Sequence, residues 1–215
     1  MIKLENVEIK REEHLLLRNI NLSINEGAKT VITGHSGSGK TSLLLAIMGC
    51  YRIEIGVIKV NGTEVNAHNL GIIRKTIAYI AQEPVLGTEN VHDALLLPFT
   101  FKANHSNKPE LSRIHQLLER VNLKPNILKK NVISISGGEK QRIAIVRAIL
   151  MKKKIFLVDE ATTGLGPSNR KAVIDIFKNP EFTVLSVSHD PEWIKEQNEE
   201  CQIQDYQLVC KSVSL

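Results

Sequence analysis

The chain has 215 residues, of which 42% are hydrophobic and 24% charged, and its formal net charge is +5. These values are typical of a globular protein with a sizeable core, either one domain or two small ones, and they argue against disorder. No apolar run approaches the ~18–20 residues that cross a bilayer, and the N-terminus does not resemble a signal peptide. We therefore expect no transmembrane segment, a cytoplasmic location, and membrane attachment only through a partner.

Neither the basic residues nor the cysteines indicate a specialised class of protein. The lysine runs at 129–130 and 152–154 are short and lack interleaved aromatic residues, so a solvated surface is favoured and no nucleic-acid partner is expected. The cysteines Cys50, Cys201 and Cys210 are odd in number and lack C-x-x-C spacing. We expect buried or incidental thiols rather than a disulfide or a metal site.

The first part of the chain carries strand patterns. Residues 2–9 and 20–24 alternate apolar and polar side chains, which predicts antiparallel strands. Residues 29–33 (K-T-V-I-T) have the pattern of a buried strand and lead into a glycine-rich segment. Residues 40–48 then have a helical pattern. A strand, a glycine-rich turn and a helix therefore follow one another directly.

The remaining elements define the fold class. A hairpin is predicted over residues 57–65 around Asn61-Gly62, with a further short strand at 77–80. Helical patterns then dominate, and they alternate with apolar strands toward the C-terminus. The predicted helices are 91–97, 111–121, 138–150 and 169–177, and the strands are 155–158 and 183–187. This order predicts an α/β sandwich with a mixed, largely parallel central sheet, an N-terminal antiparallel β part, and a helical insertion at about 84–150 in a single domain, 1–215.

The glycine-rich segment G-H-S-G-S-G-K-T matches the phosphate-loop pattern G-x-x-x-x-G-K-[ST] in the required context between a strand and a helix. Its glycines allow backbone N–H groups to surround phosphates, while Lys40 neutralises the β and γ oxygens and Thr41 offers a hydroxyl to Mg²⁺. A glycine-rich turn of this kind arising by chance is disfavoured by its flanks. The predicted ATP-binding residues are Gly34, His35, Ser36, Gly37, Ser38, Gly39, Lys40, Thr41 and the following Ser42.

Polar residues follow three of the predicted strands and suggest catalysis. The strand at 155–158 ends in Asp159 and Glu160, and successive strand residues point in opposite directions, so one carboxylate can face a metal and the other a water molecule. Alone, this pair would more simply cap a helix. His189 follows the strand at 183–187, on the ligand side of a parallel sheet. Gln82 follows the strand at 77–80 and can contact Mg²⁺ and water, although alone it would be a loop glutamine.

A second segment, I-S-G-G-E-K-Q-R from Ile135 to Arg142, places a serine and two glycines at the start of a predicted helix. Backbone N–H groups there can bind phosphate. One ATP needs only one phosphate loop, so Ser136, Gly137 and Gly138 form a surplus phosphate-binding element.

These motifs occur in the order found in the nucleotide-binding domains of ABC transporters, which the chain resembles over nearly all its length. The resemblance implies a dimer in which each ATP lies between the phosphate loop of one subunit and Ser136, Gly137, Gly138 and Glu139 of the other. It implies that Glu160 polarises the hydrolytic water and that His189 senses the γ-phosphate. Thr41, Asp159 and Gln82 would serve the metal, and the helical insertion would bind an integral-membrane permease subunit on the inner face of the cell membrane.

The chain departs from the family pattern at informative places. No Tyr, Phe or Trp precedes Tyr51, although the family commonly stacks adenine on an aromatic residue of its first strands. Arg11 falls near that position and His14 is close, so stacking of the adenine on the guanidinium group of Arg11 is an alternative. Gly166 stands where the family has an aspartate that links the two sites of the dimer, and Glu139 replaces the commoner glutamine.

Two segments, residues 89–99 and 126–142, are similar to the ATPase subunit of bacterial iron-export transporters. The resemblance therefore favours an ATP-hydrolysing transporter subunit with iron as one candidate cargo. Two alternatives stay open at this point. One is an ABC-type ATPase that works without a permease, in cofactor assembly or on nucleic acid, and the other is an ATP-binding regulator with impaired hydrolysis.

Overall fold

The computed structural model describes residues 1–213 and contains two β-sheets with flanking helices. The predicted antiparallel N-terminal part is confirmed: β1 (Ile2–Arg11) pairs antiparallel with β2 (His14–Ile24), so that Ile2 faces Ile24. Every second side chain over much of these strands is buried because the strand period is two residues. The sheet order is β2-β1-β4-β5, with β4 at Val57–Val60 and β5 at Thr63–Glu64.

The central sheet has the order β10-β9-β3-β8-β7-β6. Its middle strand β3 (Lys29–Thr33) is buried along its whole length and runs parallel to both neighbours. Parallel strands covered on both faces have continuous apolar sequences, which explains why the sequence located them well. The other strands are β6 (Ile77–Ile80), β7 (Ile155–Asp159), β8 (Thr183–Val187), β9 (Glu199–Gln204) and β10 (Gln207–Ser212).

The predicted helices are all present, and the structure contains two more that the sequence did not predict, α2 (Leu70–Thr76) and α7 (Pro191–Lys195). α5 (Gly137–Leu150) begins one residue before its predicted start, and the predicted helix at 91–97 changes to a 3₁₀ turn at Leu97–Thr100, where Pro98 lies. The others are α1 (Lys40–Ile47), α3 (Val91–Leu96), α4 (Leu111–Arg120) and α6 (Pro167–Phe177). Among residues 1–213 no helix combines the length and apolarity that a bilayer crossing requires.

The described chain divides into two compact units. The first contains Met1–Tyr79, Lys154–Glu160 and the chain from Asn179 onward, and the second contains Ile80–Lys153 and Ala161–Lys178. In the first unit, apolar side chains of both sheets and of α1 form one buried cluster. In the second, α3 and α4 pack against α5. The single domain with an insertion at 84–150 stays a prediction.

The cysteine prediction was wrong. Cys201 and Cys210 form a disulfide across the β9–β10 hairpin, where they face each other directly in the register. The error follows from the hairpin itself, which the sequence did not indicate because β10 is largely exposed. Because the sequence did not predict the hairpin, it gave no indication that the two cysteines lie opposite each other. Cys50 is an exposed thiol outside this disulfide.

Candidate functional site

The glycine-rich segment forms a loop between the end of β3 and the start of α1. Gly34, Gly37 and Gly39 have positive φ angles of 146°, 78° and 96°, which side-chain-bearing residues rarely adopt. The backbone is also closely packed, because a Cβ on Gly39 would lie 3.2 Å from Leu17 Cγ. The loop conformation therefore depends on glycine, as the phosphate-loop prediction requires.

The side chain of Lys40 bridges two carbonyl groups of this loop. Its Nζ donates hydrogen bonds of 2.8 Å to the carbonyl oxygens of Gly34 and His35. Burial lowers the pKa of Lys40, and the carboxylates of Glu160 and Asp159 oppose that shift. The ammonium group is thus held at the mouth of the loop by two exchangeable contacts, where phosphate oxygens can replace the carbonyls.

Asp159 and Thr41 form an oxygen-rich pair beside the loop. Thr41 Oγ1 donates a 2.8 Å hydrogen bond to Asp159 Oδ2, and the buried Oδ1 has no hydrogen-bond partner among the described residues. Burial raises the pKa of Asp159 and repulsion from Glu160 adds to this, whereas the bond from Thr41 lowers it. A buried carboxylate oxygen lacking a partner next to a hydroxyl suits Mg²⁺, which prefers hard oxygen ligands.

Tyr79 is a site residue that the sequence did not reveal. Its hydroxyl lies 3.5 Å from Asp159 Oδ2, within reach for a weak hydrogen bond. Burial, with the charge of Asp159, raises the pKa of Tyr79 to about 12, so the phenol stays protonated and can donate to the carboxylate. The contact arises because β6 lies beside β7 in the sheet, and only the strand order could have revealed it.

Glu160 and His189 lie together, because the strands that they follow, β7 and β8, are neighbours in the sheet. His189 Nε2 is 3.6 Å from Glu160 Oε1. Glu160 has a φ of 52°, unusual for a residue with a side chain, and its N–H donates to the carbonyl of Val187 at 2.9 Å. Backbone strain of this kind is concentrated at functional sites. The Glu160 side chain is largely buried, whereas His189 is exposed.

The S-G-G segment begins α5. Ser136 caps the helix: its Oγ accepts from Glu139 N–H at 3.2 Å, and Glu139 Oε2 accepts from Ser136 N–H at 2.8 Å. This second bond lowers the pKa of Glu139. Apart from its chain neighbours and the backbone of its own helix, a Cβ added to Gly137 would meet no described atom within 4 Å, whereas one on Gly138 would lie 3.0 Å from Leu165 Cδ2. The helix N-terminus is therefore stable by itself, and Gly137 faces open space.

The structure brings together only part of the predicted site. The phosphate loop, Thr41, Asp159, Glu160 and His189 belong to the first unit, whereas Gln82 and the S-G-G segment belong to the second. Gln82 is exposed directly after β6. Its contact with Mg²⁺, like the ligand contacts of Ser136 to Glu139, stays a prediction.

A phosphate loop between a buried strand and a helix, facing a carboxylate pair, defines a nucleotide-hydrolysing P-loop protein. The family model described as ABC transporter matches residues 17–163. The chain belongs to this family, and it is an ATP-binding, ATP-hydrolysing component of an ABC transporter. The fold is also that of this family. A solved structure described as a dimeric post-hydrolysis state of an ATP-binding cassette bound to ADP and Pi matches the chain with a TM-score of 0.86. The two are 24% identical in sequence, and the match covers 100% of both chains.

Curated relatives share the fold family but differ in the named cargo. The chain is 31% identical over 210 residues to the probable iron export ATP-binding protein FetA of Escherichia coli, covering 96% of this chain and 92% of that protein. It is 34% identical over 200 residues to an energy-coupling factor transporter ATP-binding protein of Ligilactobacillus salivarius, covering 88% and 70%. It is also 34% identical over 203 residues to a methionine import ATP-binding protein of Clostridium acetobutylicum, covering 91% and 63%. Exporters and importers therefore both resemble the chain.

Proposed function

We propose that the chain is the Mg²⁺-dependent ATPase subunit of a transporter whose membrane-spanning permease is a separate protein. ATP binding closes a homodimer of the chain on the inner face of the cell membrane, and hydrolysis reopens it. Because a ligand shifts a conformational equilibrium only through its different affinity for the two states, ATP must bind the closed dimer better. The permease receives that shift through the helical insertion.

The reaction depends on groups of the first unit. Lys40 transfers its hydrogen bonds from the loop carbonyls to phosphate oxygens, since it already lies 2.8 Å from each carbonyl. Thr41 and Asp159 hold Mg²⁺, which when bound neutralises charge on the phosphates. Glu160 orients water and accepts its proton, and His189, whose Nε2 lies 3.6 Å from Glu160 Oε1, contacts the γ-phosphate and senses its presence.

The observation that carries the dimer is the open space at Gly137. The chain itself does not require a glycine there, because no described atom lies within 4 Å of a Cβ at that position. A glycine that the fold does not need is explained if another molecule approaches the backbone closely. We assign that molecule as the ATP bound to the partner's phosphate loop.

A subunit-mixing experiment tests this assignment. Lys40→Ala destroys the phosphate loop and Gly137→Asp blocks the S-G-G segment, so each homodimer lacks both complete sites. In a mixed dimer, one site combines the two altered elements and the other combines the two intact ones. Mixing the two inactive variants should therefore restore ATPase activity, measured by phosphate release. Each mixed dimer has one intact site and should reach about half the activity of a wild-type dimer. No recovery, with both variants folded and mixed dimers formed, would count against a site shared between two chains.

The permease and the cargo need separate tests. Purification of the tagged chain from membranes should yield a polytopic membrane protein; recovery with water-soluble partners only would support the permease-free alternative. Iron is our proposed cargo because FetA, named for iron export, is 31% identical over nearly the whole chain. Cells lacking the chain should accumulate iron under iron excess, and wild-type but not Lys40→Ala protein should restore the normal content. Unchanged iron with a working ATPase would reject iron while leaving the transporter function intact.

A further inference from the structure

The tip of the β9–β10 hairpin carries an exposed aromatic residue. Asp205 and Tyr206 form the turn with φ angles of 46° and 66°, and 54% of Tyr206 is exposed. The backbone of the turn is anchored, since Arg18 N–H donates a 2.8 Å hydrogen bond to the carbonyl oxygen of Tyr206. The disulfide Cys201–Cys210 further ties the two strands.

A tyrosine is a poor choice for this turn on local grounds. Two-residue hairpin turns with two positive φ angles favour asparagine and glycine, and a bulky residue with positive φ is an outlier. Such conformations are energetically unfavourable and are concentrated at active sites, ligand clamps and switch regions. The position of Tyr206 therefore calls for an explanation beyond hairpin formation.

Tyr206 lines a cavity that borders the phosphate loop. The cavity has a volume of about 280 Å³, just below the roughly 300–1,000 Å³ typical of sites that enclose a whole ligand. It is large enough for part of a nucleotide, with the phosphates outside it. Its walls combine apolar residues of β2, phosphate-loop residues and the hairpin tip, among them Leu16, Gly37, Ser38 and Tyr206.

The expected location of the base has a different character. Arg11, which falls near the family's aromatic position, lines a cavity of about 450 Å³ together with Tyr51. No phosphate-loop residue lines that cavity, and its walls include the carboxylates Glu8, Glu12, Glu13 and Glu54. The phosphate loop thus contributes to the walls of the cavity beside Tyr206 and not to those of the cavity beside Arg11.

We propose that the nucleobase of ATP stacks on Tyr206, which replaces the aromatic residue missing from the first strands. Leu16, which lines the same cavity, provides an apolar surface for the ribose and base. The inference rests on the proposed function, because it assumes that the phosphate loop holds the triphosphate. Since every base offers a π face, stacking of this kind gives little preference between ATP and GTP.

Binding of ATP and of inorganic tripolyphosphate, both measured by calorimetry on the full chain, tests the proposal. Tyr206→Leu should weaken ATP binding roughly 5- to 100-fold, the range expected for loss of one aromatic stack. Tripolyphosphate, which has no base, should bind as before. Tyr206→Trp should retain ATP affinity. Val209→Ala, an exposed position on the same hairpin, and Tyr51→Leu are matched controls that should leave both affinities unchanged.

Each remaining outcome has a definite meaning. Unchanged ATP affinity in Tyr206→Leu overturns the proposal, and so does an equal loss for ATP and tripolyphosphate, which would indicate a distorted loop. Loss of ATP affinity in Arg11→Ala or Tyr51→Leu instead would place the base in the other cavity. Lys40→Ala should weaken both ligands. If it weakens neither, the phosphate site itself is wrong, whatever Tyr206 does.

Discussion

The phosphate loop and the S-G-G segment both contain glycines, but for different reasons. In the phosphate loop the fold of the chain itself requires glycine: Gly34 and Gly39 have positive φ angles, and a Cβ at either position would lie 3.2 Å or less from a neighbouring atom. At the start of α5 the helix forms normally, its cap is satisfied, and Gly137 faces open space. The first element is thus explained by its own fold. In our proposal, the second is explained by a molecule that approaches it, the ATP of the partner.

The largest expected effect is on chemistry in the phosphate-loop unit. Glu160→Gln removes the group that accepts a proton while preserving size, and we expect ATP hydrolysis to fall ~10²–10⁴-fold with ATP affinity retained. ATP-bound dimers should accumulate, measurable by light scattering. Hydrolysis near the wild-type rate would rule out Glu160 as the base.

Substituting one glycine in the S-G-G segment and one in the phosphate loop should have different effects on ATP binding. Gly137→Asp should leave ATP binding to the monomer nearly intact and abolish hydrolysis, because it disturbs only the approach of the partner's ATP. Gly39→Ala should weaken ATP binding and lower stability by ~1–2 kcal/mol, the usual cost of a left-handed backbone for a side-chain-bearing residue. Equal loss of ATP binding in both variants would contradict the distinction.

A smaller effect concerns the buried carboxylate of the metal site. Burial raises the folded-state pKa of Asp159 above its ordinary value of 3.8, so at pH 7 its ionised form destabilises the folded chain. Asp159→Asn should therefore unfold at a higher temperature in metal-free buffer, by ~2–4 °C for each kcal/mol. The gap should close as pH falls through the raised pKa and vanish below the unfolded value. Mg²⁺ with ATP should stabilise wild type and not the variant; a less stable variant in metal-free buffer at pH 7 would refute the pKa argument.

The smallest effect is expected at Gly166, the N-cap of α6. A Cβ there meets no described atom within 4 Å, and aspartate caps helices at least as well as glycine. Gly166→Asp should therefore fold normally, with stability changed by only a few tenths of a kcal/mol. We expect the Hill coefficient of hydrolysis with ATP concentration to rise toward its limit of two for a two-site dimer, because the family's aspartate links the two sites. Gly166→Ala is the control for the loss of backbone freedom.

The sequence predicted what depends on local pattern. The buried strand at 29–33, the phosphate loop and the carboxylates after β7 follow from period, glycine content and order along the chain, and the structure places them together. It missed the β9–β10 hairpin, whose exposed second strand has little apolar alternation, and with it the disulfide. It also missed Tyr79, since a contact with Asp159 depends on which strands are neighbours in the sheet.

The open space at Gly137 also has a genetic consequence. A Gly137→Asp chain should fold, bind ATP and still pair with normal chains, because a side chain at that position meets no described atom of its own chain. Wherever both chains are made in equal amounts, random pairing would leave only a minority of dimers with two working sites. The substitution should therefore distribute damaged sites among dimers that also contain normal chains, whereas a change that unfolds the chain would lower the number of dimers and leave those that form intact.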